Sequence, residues 1–219
     1  MEHKGSRYLV FCRGLSSLVC AACSVIICVL GLVSAYAVYD GLLANREPAE
    51  LDELRAQLGE ESSFSWAAGM VAWIRIDGTH IDYPVMQARD NKWYLTRDYL
   101  GRDAVSGSVF LDYRNSADFG DGLSIIYGHR MNGDLMFSDI AKFADSGFFL
   151  SHRSGRLITP VSDVPLIAIE HRVLSAEDDA YRGLSKENLG LGDGRYLLLS
   201  TCNRSGRMKR DVLVMKIEQ

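Results

Sequence analysis

The sequence predicts a mainly β protein: a closed barrel or a sandwich of about eight short strands with a few short helices, preceded by an N-terminal transmembrane helix. Three observations predict it. Residues 15–39 (LSSLVCAACSVIICVLGLVSAYAVY) carry no charged side chain over 25 positions, and about 20 apolar residues of helix cross a bilayer core. From Met70 onward, short alternating apolar runs are broken by turn residues, the pattern of half-buried strands. Only one segment there has clear helical spacing, and closing a sheet on itself removes the edges that many short strands would otherwise leave unpaired.

Taken in order, the first element is the span. Lys4, Arg7 and Arg13 precede it and Asp40 follows it, so residues 1–14 are expected in the cytoplasm and everything after Asp40 outside. Ala35-Tyr36-Ala37 has the small-x-small character of a processing site, so a cleaved signal peptide is the competing reading. The apolar run exceeds the roughly 7–15 residues of a signal core, which favours an uncleaved anchor over residues 15–39. Residues 40–69 read as a linker, in which Pro48–Glu61 sets Leu51, Leu54 and Leu58 at helical spacing behind a first-turn proline. This is an amphipathic spacer helix.

Residues 70–219 form the exported domain. Val71–Ile76 and His80–Val85 flank Asp77-Gly78, a hairpin signal, and Pro84 implies an edge or an irregular position. Further strands are expected at Ser108–Asp112, Leu123–Tyr127, Arg156–Val161, Pro165–Leu174, Arg195–Thr201 and Asp211–Ile217. The clear helix is Leu135–Ala144, with Asn132 or Asp134 available as its cap. A second short helix is expected within Asn91–Tyr99, and no internal repeat is present.

Composition narrows the function classes. A 219-residue chain with 47% hydrophobic residues, 24% charged residues and 4 Pro is neither disordered nor collagenous. Its net charge of -4 exerts no long-range pull on phosphate backbones, which argues against nucleic acid as a partner. Cys12, Cys20, Cys23 and Cys28 lie in or beside the span, leaving Cys202 alone in the exported domain. No disulfide can form within that domain. An unpaired cysteine in an oxidising exterior is either buried or used.

Cys202 follows the apolar run Tyr196–Ser200 at a strand-to-loop transition, and Arg204, Arg207, Lys209 and Arg210 crowd the loop after it. Nearby cations favour thiolate over thiol; the alternative is a solvated basic hairpin beside an inert core thiol. A thiol nucleophile usually needs an imidazole within reach. His80, His152 and His171 read as surface or packing residues, whereas His129 follows the apolar run Leu123–Tyr127 at the lip of another strand. With no short-range ligand spacing among the histidines and no second domain cysteine, no metal or other cofactor is expected.

At these residues the chain resembles the sortase family. Tyr127-Gly128-His129-Arg130-Met131 followed by Gly133–Phe143 is similar to the family's histidine segment, and Leu199-Ser200-Thr201-Cys202 to its cysteine strand. Ile81–Gln87, Asp90–Leu95 and Ser106–Asn115 resemble class B in particular, so the likeness runs from about Val71 to the C-terminus. It implies a sortase β-barrel and a cysteine transpeptidase, a thiol peptidase of the hydrolase class, that joins secreted proteins to the cell wall of a Gram-positive bacterium. By position it makes Cys202 the nucleophile, His129 the acid and base, and Arg210, which directly precedes the last strand, the essential arginine. It assigns Asn91, Leu95, Tyr127, Ser200 and, more loosely, Tyr181 to the binding of the sorting peptide. The implied partners are sorting-signal-bearing secreted proteins, a lipid-linked peptidoglycan precursor amine and the membrane. One departure is that Ser175–Gly194 leaves room for only a short helix where class B usually carries a long one, which leaves the recognised motif open. The rival expectations are a cysteine peptidase with water as acceptor, a pilin-polymerising sortase, and an anchored binding module with an inert thiol.

Overall fold

The computed structural model describes residues 19–36, 38, 50–58, 66–131, 134–175, 186–202 and 209–218, in two compact units that meet in sequence at Phe64 and Ser65. In the first unit, Val19–Tyr36 is a helix of 18 residues, apolar and long enough to cross a membrane, and residues 50–58 form a second helix. Leu51, Leu54 and Leu58 recur on it at the expected spacing.

The second unit is a closed barrel of eight strands: β1 Met70–Ile76, β2 Asp82–Met86, β3 Val109–Leu111, β4 Leu123–Tyr127, β5 Ser154–Thr159, β6 Ser162–Ser175, β7 Arg195–Cys202 and β8 Lys209–Ile217. Their order around the barrel is β1-β2-β3-β4-β7-β8-β6-β5. The pairs β2/β3 and β4/β7 are parallel and the others antiparallel. All eight expected strands are present within a few residues of their predicted bounds. Pro84 lies in β2 opposite Trp73 of β1, and pairing with β3 begins only at Val85. No ladder on that side needs the N–H that proline lacks.

The apolar runs of β4 and β7 are continuous because both faces of these strands are buried. Leu123 and Ile125 of β4, Tyr196 and Leu198 of β7, and Val212 and Val214 of β8 share one face, which Leu189 covers. Leu189 belongs to the β6–β7 connection, and an eight-stranded barrel fills its interior with strand side chains, so this face is the outer one. The alternate residues Leu197, Leu199, Leu213 and Met215, all fully buried, face inward.

The helices depart from expectation. Leu135–Ala144 is a 3₁₀ helix only over Ser138–Ala144, and Phe137 stands at its N-cap without a side-chain cap. Asp134 and Met136 have φ of 60° and 55°, left-handed values that no α-helix accommodates. Asp134 does not cap; it pairs with Lys142 at 3.0 Å, and Asn132 lies outside the described residues. A true α-helix follows at Ser146–Ser151, where the Asp145 carboxylate accepts the Phe148 N–H. Within Asn91–Tyr99 only Trp93–Leu95 is helical, as one 3₁₀ turn.

Candidate active site

The register of three neighbouring strands builds the site. On the parallel pair β4/β7, Tyr127 stands opposite Ser200, and the Gly128 N–H donates to the Ser200 carbonyl at 3.1 Å, which carries the pairing past the end of β4. His129 lies two residues beyond Tyr127 and Cys202 two residues beyond Ser200, so the same parallel register, continued past the end of β4, sets the two side by side. On the antiparallel pair β7/β8, Cys202 is directly opposite Arg210. On that continued register positions 129, 202 and 210 fall in one row, of which Cys202 and Arg210 are a ladder pair on neighbouring strands, about 4.8 Å apart. The outer-face residues Tyr127, Ser200 and Val212 form the row beneath.

His129 is held from both sides of its backbone. Its carbonyl accepts the Phe137 N–H at 3.0 Å, and Gly128 lets Phe137 close over the strand end, since a Cβ there would stand 2.6 Å from the Phe137 ring. The imidazole Nε2 lies 2.7 Å from the Leu95 carbonyl oxygen. A carbonyl only accepts, so this hydrogen bond requires the tautomer with the proton on Nε2, which turns Nδ1 to the other side of the ring. The Leu95 carbonyl is set by the turn Trp93–Leu95 and by Gly107, where φ is +57° and a Cβ would stand 2.7 Å from the Leu95 oxygen.

Beside this row, Asp112 ties together two of the expected peptide-binding residues. Its carboxylate is fully buried. It accepts from Asn91 Nδ2 at 2.9 Å, from the Tyr127 hydroxyl at 3.0 Å, and from Arg114 through both Nε and Nη2 at 2.9 Å. Burial pushes the Asp112 carboxyl up, but the hydrogen bonds from the Arg114 side chain and backbone, from Asn91 and from Tyr127 outweigh it and hold the group below its ordinary 3.8. A depressed folded value contributes stability above the unfolded pKa of about 3.9, and that stability is lost as pH falls through the folded value. Asp112→Asn should therefore flatten acid unfolding in that range. At neutral pH it should cost about 2–3 kcal/mol, less than orphaning a fully buried ion because Arg114 can still reach water. Chemical denaturation at pH 7 and pH 3.5 checks both.

Leu95, Asn91, Tyr127, His129, Ser200, Cys202 and Arg210 thus converge on one end of the barrel. Leu95 and Trp93 are exposed there, with the Arg97 guanidinium 4.0 Å over the Trp93 ring. Tyr181, Arg204 and Arg207 lie outside the described residues. The β6–β7 connection carries one 3₁₀ turn, Glu187–Leu189, among its described residues. Sequence reasoning missed Asp112 and Arg114, although both sit in the run Ser106–Asn115. It also missed the Leu95 carbonyl, because a backbone acceptor leaves no mark in composition. Away from the row, ligand atoms of His80, Asp134 and Asp139 lie within 4.8 Å of one another. Lys142 Nζ stands 3.0 Å and 2.8 Å from the two carboxylates, so an ammonium already supplies the cation there. His80, expected as a surface or packing residue, bonds Asp139 through its backbone N–H and Nδ1.

No family model matches the chain. Sortase B of Listeria monocytogenes is 46% identical over 83 residues, 38% of this chain and 34% of the relative, so the match spans about a third of that protein. The crystal structure of sortase B from the Type II pilus of Streptococcus pneumoniae superposes with a TM-score of 0.58 at 31% identity, covering 69% of this chain and 94% of that one. A class B sortase of Streptococcus pyogenes involved in pilus biogenesis gives a TM-score of 0.63 at 28% identity, over 79% of this chain and 100% of that one.

Proposed function

Because this chain belongs to the sortase family, class B, we propose that it is a membrane-anchored cysteine transpeptidase. It cleaves a C-terminal sorting signal of secreted proteins through a thioester on Cys202 and passes the acyl group to a cell-wall amine. What supports this reading is that Cys202 pairs with Arg210 on β7/β8 while His129 follows the end of β4, whose Tyr127 pairs with Ser200 of β7.

In the first half-reaction the Cys202 thiolate attacks the carbonyl carbon of a threonine in the signal. The C–S bond forms, the amide C–N bond breaks, and the leaving amine takes its proton from His129 Nδ1. In the second, an incoming amine attacks the thioester, gives its proton to Nδ1, and restores the thiolate as the new amide forms. A covalent intermediate conserves the acyl energy, so no ATP is required outside the cell. The Leu95 carbonyl keeps the Nε2 proton in place, which leaves Nδ1 as the working nitrogen. Arg210 holds the carbonyl oxygen as it becomes an oxyanion. Asn91, Leu95, Tyr127, Ser200 and Tyr181 line the path of the peptide.

Residues 15–39 serve as the anchor, residues 1–14 lie in the cytoplasm, residues 40–69 are the spacer and residues 70–219 the extracellular catalytic domain. Tethering confines enzyme, sorting signal and lipid-linked acceptor to one layer and raises their effective concentration. Removing residues 1–40 should leave peptide cleavage in solution intact while lowering wall attachment in cells; undiminished attachment by the secreted form would contradict the tethering role.

The likeness to two structures described as pilus sortases favours one second reading, in which the acceptor is a lysine of another protein subunit. The test is to incubate the full chain with peptides carrying NPxTx-like and LPxTG-like signals, with and without a wall-type amine or a lysine-bearing subunit. Mass spectrometry then reads the acyl adduct on Cys202 and the ligated product. The proposal expects ligation to exceed hydrolysis once an amine is present. Hydrolysis alone would make the protein a peptidase, and no adduct at all would leave an anchored binding module.

A further inference from the structure

We propose that the Arg130–Asp211 ion pair is a positioning device that fixes the spacing between His129 and Arg210 on either side of Cys202. Its predicted effect on turnover rests on the transpeptidase reading, whereas its geometry does not. Arg130 follows His129 and Asp211 follows Arg210, so each member of the pair adjoins one flank of the row. Strand alternation turns positions 130, 201 and 211 to the inner face, away from 129, 202 and 210. There Arg130 Nη1 donates to Asp211 Oδ2 at 3.0 Å, with the two side chains 17% and 4% exposed. The bond passes beneath β7, where the buried Thr201 stands directly opposite Asp211. From the other side β6 brings His171, whose Nε2 lies 3.3 Å from Asp211 Oδ1 without the alignment of a hydrogen bond. One carboxylate thus joins the end of β4, the start of β8 and the middle of β6 under the thiol-bearing strand.

As a source of stability the arrangement is poor. Burying two charges is costly, and an apolar pair of similar volume is often equally or more stabilising. Arg130 Nε is moreover buried without an acceptor among the described residues. What an apolar pair cannot supply is direction. A guanidinium and a carboxylate meet at a fixed distance and angle, and that fixes how far the backbone at 129 stands from the backbone at 210.

The test compares the full chain in detergent with Arg130→Met/Asp211→Leu, Asp211→Asn and Arg130→Lys. Three readouts are taken: the unfolding midpoint, the pH profile of Cys202 alkylation by iodoacetamide read by mass on the Cys202 peptide, and kcat and KM with a sorting peptide. The double variant is expected to keep the wild-type midpoint while its alkylation profile shifts and kcat falls on the order of tenfold to a hundredfold, with KM within about twofold. Asp211→Asn, which leaves Arg130 without its counter-ion, should lower midpoint and kcat together. Wild-type alkylation and kcat in the stable double variant would overturn the proposal, since the pair would then be structural only. If the double variant does not fold, Arg130→Lys decides: a shifted alkylation profile supports positioning and an unchanged one refutes it. If no peptide acylates the wild-type chain, the transpeptidase reading fails while the alkylation profile still decides the role of the pair.

Discussion

Cys202→Ala and His129→Ala should each lower sorting-peptide turnover by on the order of 10⁴-fold or more, and the double variant should be no worse than either single one. The effects should not add, because in the proposed reaction thiol and imidazole act as one unit. Without the imidazole the leaving amine has no proton donor, and without the sulfur there is nothing for the proton transfer to serve. KM should change little for His129→Ala, since the hydrogen bonds that hold Asn91 and Tyr127 run to Asp112 and not to the imidazole. Single-turnover kinetics with quantified acyl adduct would measure this. Multiplying losses in the double variant would mean that the two residues work independently, contrary to their shared row.

The second large effect is expected at Arg210. Arg210→Ala should lower kcat by roughly 10²–10³-fold, the scale of one lost oxyanion donor, and Arg210→Lys should recover only part of it. Opposite Cys202 on the ladder, position 210 lies within reach of a carbonyl oxygen under attack at 202. A lysine keeps the charge but not the planar fork, so an Arg210→Lys enzyme with wild-type kcat would reduce the role of this residue to simple charge. Neither variant should shift the unfolding midpoint strongly, because Arg210 is the half-buried second residue of β8 and the buried run Asp211–Met215 continues unchanged.

Much of this architecture was legible in the sequence because short apolar runs bounded by turn residues mark strands whether one face or both are buried. β4 falls on its expected bounds Leu123–Tyr127, and β2, expected over His80–Val85, runs Asp82–Met86. The helices were less legible, because backbone conformation overrode side-chain spacing. Leu135, Met136, Ile140 and Phe143 have helical spacing, yet positive φ at Asp134 and Met136 delays the turn and tightens it to 3₁₀. The short helix Ser146–Ser151 had a readable signal in Asp145, whose carboxylate accepts the Phe148 N–H at 2.8 Å.

For the site, the candidacies of His129 and Cys202 could be read from their places after apolar runs, but not their adjacency. That depends on the parallel register of β4 and β7, which no local pattern encodes. The same holds for Arg130 and Asp211, which meet across 81 positions of sequence. Asp112 was visible only as part of a motif. Its place in the site comes from burial and from donors on Asn91, Arg114 and Tyr127, which sequence spacing does not foretell.

The account depends most on positions 129 and 202 being neighbours, and a disulfide tests that without any substrate. Adjacent strand positions at this spacing fall within the Cα separation of about 4.4–6.8 Å that a disulfide needs. Mild oxidation of the full-length His129→Cys variant should therefore yield a peptide pair linked between positions 129 and 202, identified by mass spectrometry and absent when Cys202 is also replaced. Failure of that link to form, with the variant folded and both thiols still free, would contradict the row on which the proposed chemistry rests.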